Sequence, residues 1–193
     1  MTDHKDALDD TRNEPSLANL LAILAALAMF FSTLEYLIPK PVPFFRVGLA
    51  NIPLLVTLRF FRVRHVLALA LIKVIGQGLI HGTLASYVFL FSLVGTLASA
   101  LVMIILFRTG GRRISLVGVS AGGAIASNVI QVALSVHFIF GPASWVIAPP
   151  FLIAGLGAGI FVGLVAERVA AGSRWVDRLE SDYRCLREAG RPG

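Results

Sequence analysis

RHVLALALIKVIGQGLIHG, Arg64 to Gly82, sets costly polar residues inside an apolar run. Lys73, Gln77 and His81 stand at i, i+4 and i+8. On an α-helix that spacing stacks them along one face, with about 6 Å of rise per step. The rest of that face is small or apolar. If the helix crosses a bilayer, Lys73 falls near the midplane, where a lysine costs about 2.5 to 3.5 kcal/mol on insertion scales. A chain carries that cost when the ammonium faces a bundle interior, a wet cavity or a partner. Lys73 could line a polar binding cavity, or sit against Glu35 or backbone carbonyls purely to fix packing. It could also snorkel, for which a central position is poor. We favour the cavity.

The surrounding composition agrees with a membrane setting. Of 193 residues, 56% are hydrophobic and 15% charged, with a mean hydropathy of +0.81, whereas soluble domains carry about 25% charged residues. One integral membrane domain is the expected organisation. The net charge of +6 does not point to nucleic acid, because the bases flank hydrophobic runs and no aromatic-basic interleaving accompanies them. The single cysteine, Cys185, supports neither a disulfide framework nor a cysteine metal site. Residues 1–15, MTDHKDALDDTRNEP, are acidic where a signal peptide would be basic, and read as a disordered cytoplasmic arm.

Working outward from the central stretch, six apolar runs fill residues 16–171. Ser16 to Ile38 is the first, with Pro15-Ser16 as its start and Pro39 as its stop. PKPVPFF, Pro39 to Phe45, is an extended loop because its prolines alternate. Val47 to Phe61 reads as a short, broken second span, with Asn51 near the cap and Pro53 in the first turn; such spans often border binding sites. After the third span come Thr83 to Phe107, Ile114 to Phe140, and Val146 to Ala170. The sixth run carries Gly155, Gly157, Gly159 and Gly163, which allow close helix contact. The remainder, 172–193, is a charged cytoplasmic tail. Within it Trp175, Val176, Leu179, Tyr183 and Leu186 have the spacing of an amphipathic helix on the inner membrane surface.

Fourteen of the seventeen Lys and Arg residues fall in the N-terminal arm, the 59–64 turn, the 108–113 turn, and the tail together with Arg168 at the end of the sixth run. The positive-inside rule then places both termini in the cytoplasm. That orientation gives each polar residue a depth. Glu35, Arg46 and Asn51 lie near the outer ends of spans one and two, Gln77 and His81 in the outer half of span three, and Asn128 and Gln131 mid-to-outer on span five. Each has a bland reading: Asn128 with Gln131 as interhelical hydrogen-bond glue, His81 as a solvated histidine, Glu35 with Arg46 as a rim salt bridge. Their convergence from four helices into one leaflet is harder to explain by packing.

Several chemistries have no motif here. GxxxxGK[ST], HExxH and CxxC do not occur, and the only acidic pair, Asp9-Asp10, lies in the N-terminal arm. No cofactor or metal is expected, and no catalytic residue is assigned.

Three stretches carry a family resemblance: GLAN, Gly48 to Asn51, after the Pro-rich loop; IKVIGQGLIHGTLASYVFLFSLVGTLASALVM, Ile72 to Met103; and GVSAGGAIASNVIQ, Gly118 to Gln131. Over about residues 17 to 171 the chain resembles a bacterial membrane family known as the Gx transporter family or heptaprenyl diphosphate synthase component I. That family is similar to the substrate-binding S components of energy-coupling factor (ECF) transporters. The resemblance implies a six-helix fold in the bacterial inner (plasma) membrane, with recurrent positions at Gly48, Asn51, Asn128 and Gln131. It also implies a transmembrane coupling subunit and ATPases as partners, docked on small residues of span one, here Ala22 and Ala26. Lys73 stands where an Arg is expected and Ser127 where a His is, and a lysine offers a point charge rather than a bidentate fork.

The expectation is therefore an all-α bundle of six transmembrane helices acting as the substrate-capture subunit of an uptake transporter. Its site would be lined by Glu35, Arg46, Asn51, Lys73, Gln77, His81, Asn128 and Gln131, and would take a small molecule bearing an anionic group. The alternative is an accessory membrane component of isoprenoid diphosphate synthesis. A stand-alone secondary transporter is a third class, disfavoured because the chain has no second half for an inverted repeat.

Overall fold

The computed structural model describes residues 16–37, 48–80 and 82–189. The N-terminal arm, the Pro-rich loop with Arg46, and His81 lie outside these. Seven α-helices follow in order: α1 Leu17–Leu37, α2 Ile52–Thr57, α3 Val63–Ile80, α4 Tyr87–Gly110, α5 Leu116–Phe138, α6 Ser144–Gly172 and α7 Arg174–Ala189. The described residues form no strand, so an all-α membrane bundle stands. Serines set several starts. Ser16 Oγ accepts the Asn19 N–H at 3.1 Å, Ser86 Oγ that of Val88 and Ser115 Oγ that of Gly118, each satisfying a donor orphaned by the first turn. The cap at Ser86 is why α4 begins later than hydropathy alone suggests.

Among the described residues, five helices are long and apolar enough to cross a membrane: α1, α3, α4, α5 and α6. The second run differs. It forms a 3-10 turn, Leu49–Asn51, and the six-residue α2, every residue of which is buried. Six residues rise only about 9 Å, a fraction of a ~30 Å hydrocarbon core. Its apolarity therefore serves protein contact rather than lipid contact. In the packing order α1–α3–α4–α5–α6, α2 lies against both α6 and α1. The bundle thus closes as a ring of six elements, of which five are membrane-length helices.

The dry core fills one end of that ring, where Leu24, Leu54, Leu55, Leu69, Met103, Val119 and Val162 are fully or almost fully buried. The amphipathic α7 covers the same end. Val176, Leu179 and Tyr183 are buried against the bundle while Trp175 stays partly exposed. The Tyr183 hydroxyl reaches Arg62 N at 3.2 Å and His65 Nδ1 at 2.9 Å. Phe61, Val66, Phe107 and Arg108 meet around one small cavity nearby. The 59–64 turn, the end of α4 and the charged tail helix therefore gather at one end of the molecule.

The closest helix contact is α5 with α6. A Cβ at Gly163 would sit 2.5 Å from Val117 Cα, and one at Gly159 would sit 3.1 Å from Ala121 Cα and 3.2 Å from Ser120 O. Gly155, Gly159 and Gly163 recur every fourth residue, so they share one face, while Gly157 meets nothing within 4 Å. Gly163→Ala must push backbone from backbone and is expected to destabilise by about 1–3 kcal/mol. Gly157→Ala, the same chemical change in open space, should be neutral or stabilise by up to about 1 kcal/mol. Melting temperatures of the two purified variants check this; equal shifts would remove the close-contact explanation.

Candidate functional site

The element that organises the site is GLAN. Gly48 has φ of 84°, a conformation that costs a residue with a Cβ. This turns its N–H onto Glu35 Oε1 at 3.1 Å, fixing the carboxylate at the end of α1. Asn51 N closes the turn on Gly48 O at 2.8 Å, and Ala50 is small enough to bury at 2% exposure. Asn51 occupies the N-cap position of α2, yet its side chain makes no cap bond. Instead Asn51 Oδ1 accepts from Lys73 Nζ at 2.5 Å. Pro53 falls in the first turn of α2, where its missing N–H costs nothing.

Lys73 and Glu35, 5% and 6% exposed, belong to the wall of one cavity of about 60 Å³. Six residues anticipated from sequence line it together: Glu35 from α1, Asn51 from the 3-10 turn, Lys73 and Gln77 from α3, and Asn128 and Gln131 from α5. Arg46 and His81 lie outside the described residues. The amides are held by neighbours. Gln77 Nε2 donates to Ser32 Oγ, Asn128 Nδ2 to Phe151 O at 3.5 Å, and Gln131 Nε2 to Ser127 Oγ at 3.2 Å. The glue reading of Asn128 is thus partly right, since its amide bridges α5 to α6 while also lining the cavity. Gly155 makes room for it: a Cβ there would lie 1.5 Å from Asn128 Nδ2.

Hydroxyls were the part not assigned from sequence. Ser92, Thr96 and Ser99 of α4, and Ser120 and Ser127 of α5, line the same space. The signal was available as spacing: Ser92, Thr96 and Ser99 are i, i+4 and i+7, and Ser120, Ser127 and Gln131 are i, i+7 and i+11, each set on one helical face. Ser99 is 3% exposed, and its Oγ has no hydrogen-bond partner among the described residues. An orphaned buried hydroxyl costs about 1–3 kcal/mol, which a ligand or water in the cavity would recover. The arrangement can bind and orient a small polar group with charges of both signs, amides and hydroxyls, in a setting where desolvation strengthens each contact.

Ala22 and Ala26 lie on the exposed side of α1, while Ala25 between them is buried. Beside them an open apolar groove of about 580 Å³ runs between Ile23, Ala26, Leu27 and Phe30 of α1 and Ser173 and Trp175 at the start of α7.

A family model described as heptaprenyl diphosphate synthase component I matches residues 24–169. No curated protein and no solved structure matches the chain.

Proposed function

The chain belongs to the heptaprenyl diphosphate synthase component I family, and from that footing we propose that it is the substrate-capture subunit of a small-molecule uptake transporter. One observation carries the reading: five separate elements of a closed membrane ring converge charged, amide and hydroxyl groups on a single internal cavity. Maintaining Lys73 and Glu35 there costs folding energy, and a ligand site gives that cost a use. The bacterial inner membrane is the setting, with the basic end of the ring and both termini facing the cytoplasm. The chain would open to its ligand from the opposite side. Energy for transport comes from partner subunits, a transmembrane coupling protein and ATPases, for which exposed Ala22 and Ala26 offer a close-approach surface on α1. In this reading the chain is not an enzyme.

A second reading follows from the family description itself: an accessory membrane component of heptaprenyl diphosphate synthesis. The apolar groove beside α1 favours it, since an isoprenoid chain could lie there while a soluble synthase acts on its polar end. Isolation from native membranes separates the two. The capture subunit is expected to co-purify with an ATPase-containing complex, and the pure chain to show no ATP hydrolysis and no prenyl transfer. Co-isolation with a prenyl synthase instead, or Mg²⁺-dependent chain elongation by the pure chain, would overturn the transport reading.

A further inference from the structure

Among the described residues, the cavity wall carries one carboxylate and one ammonium, on different helices and both nearly fully buried. We infer that the ligand of this site is a small zwitterion, an amino-acid-like molecule whose anionic group meets Lys73 and whose cationic group meets Glu35. This rests on the capture reading and names its substrate class.

Charge balance is the first support. A ligand with only an anionic group would gain from Lys73 but meet the like charge of Glu35 in a confined, weakly screened space, where charge interactions are much stronger than in water. A purely cationic ligand meets the reverse conflict. A molecule carrying both signs offers an opposite charge to each of the two groups. The local bonding fits this. Asn51 Oδ1 accepts from Lys73, and the Gly48 N–H donates to Glu35, so a neutral dipole orients each charged group.

Size and polarity are the second support. At roughly 10–15 Å³ per water position, about 60 Å³ takes some four to six waters, or a solute with a comparable number of heavy atoms. That suits a small polar solute, and the polar wall does not suit an isoprenoid chain. The unpartnered Ser99 hydroxyl, deep in α4, supplies a further donor or acceptor for such a polar solute.

The test is a thermal-shift panel on the purified full chain in detergent. Glycine, β-alanine and 4-aminobutyrate separate the two charges by increasing lengths. Acetate and butyrate carry the anionic half alone, methylammonium and butylammonium the cationic half. At least one zwitterion is expected to raise the melting temperature at millimolar concentration, with every single-charge probe at least tenfold weaker. Glu35→Gln should abolish that preference, bringing the zwitterion down to its matched anion. Stabilisation by butyrate or butylammonium equal to that by the zwitterions would overturn the inference, as would a panel without any effect. The wild-type comparison stands even where Glu35→Gln does not fold. The capture reading is judged apart from this, by which partners the chain is isolated with.

Discussion

Lys73→Met is expected to weaken ligand binding roughly ten- to a hundredfold while leaving the melting temperature of the unliganded protein unchanged or raised. The ammonium is 5% exposed and belongs to the cavity wall. Losing a charge-assisted contact costs about 1.5–3 kcal/mol. Burying a methionine is far cheaper than burying an ammonium, so the fold should not suffer. One group that loses a donor is Asn51, whose Oδ1 accepts from Lys73. Asn51 is only half-buried and lines the cavity itself, so water can replace the lost donor. A packing role predicts the opposite pair of results, a fallen melting temperature with unchanged affinity. Both quantities are read on one detergent-solubilised variant, with the probe that stabilises wild type. A destabilised variant that still binds normally would move Lys73 from the site to the scaffold.

The same residue shows what hydropathy and periodicity could reach. A lysine, a glutamate and amides in apolar runs stand out because each is expensive there. The six of them named above as site candidates within the described parts of the chain line one cavity, whereas Asn19 and Glu167, near the ends of their runs, do not. Serine carries no such cost signal. It is small enough to serve helix packing, so Ser99 does not stand out in an apolar run, and only its helical register with Ser92 and Thr96 betrays the shared face. Gly155 reads the same way for a different reason: its value lies in the space it leaves for Asn128. The five long helices were legible because length and apolarity together leave few other options. The second run was not, since an apolar stretch looks alike whether lipid or protein covers it. In α2 it is protein, and all six of its residues are buried. The tail shows the same ambiguity in milder form. Its amphipathic spacing is present, but Val176, Leu179 and Tyr183 face the bundle, which periodicity alone could not distinguish from a membrane surface.

That docked tail yields the largest structural effect expected of a single side chain. Tyr183, 4% exposed, stacks on Phe61 with ring centroids 4.3 Å apart and meets His65 edge-on at 5.7 Å. Its hydroxyl also organises the turn before α3. Arg64 Nε donates to His65 Nε2 at 3.2 Å, so the proton of a neutral His65 sits on Nδ1 and is donated to the Tyr183 oxygen. The Arg62 N–H is the second donor to that oxygen. Two lone pairs thus take two donors, one of them a backbone group that closes the basic turn. Tyr183→Ala removes ring and acceptor together and is expected to cost about 3–5 kcal/mol, as other large aromatic truncations do. Tyr183→Phe keeps the ring and should cost about 1–3 kcal/mol, the penalty for stranding the two donors. Release of α7 is the direct readout. In Tyr183→Ala, trypsin should cut at Arg178 and Arg184 well before the bundle unfolds, whereas wild type and Tyr183→Phe should resist. Unchanged melting and unchanged cleavage in Tyr183→Ala would show that α7 is held by its other contacts, and that this tyrosine does not latch the tail to the basic end of the ring.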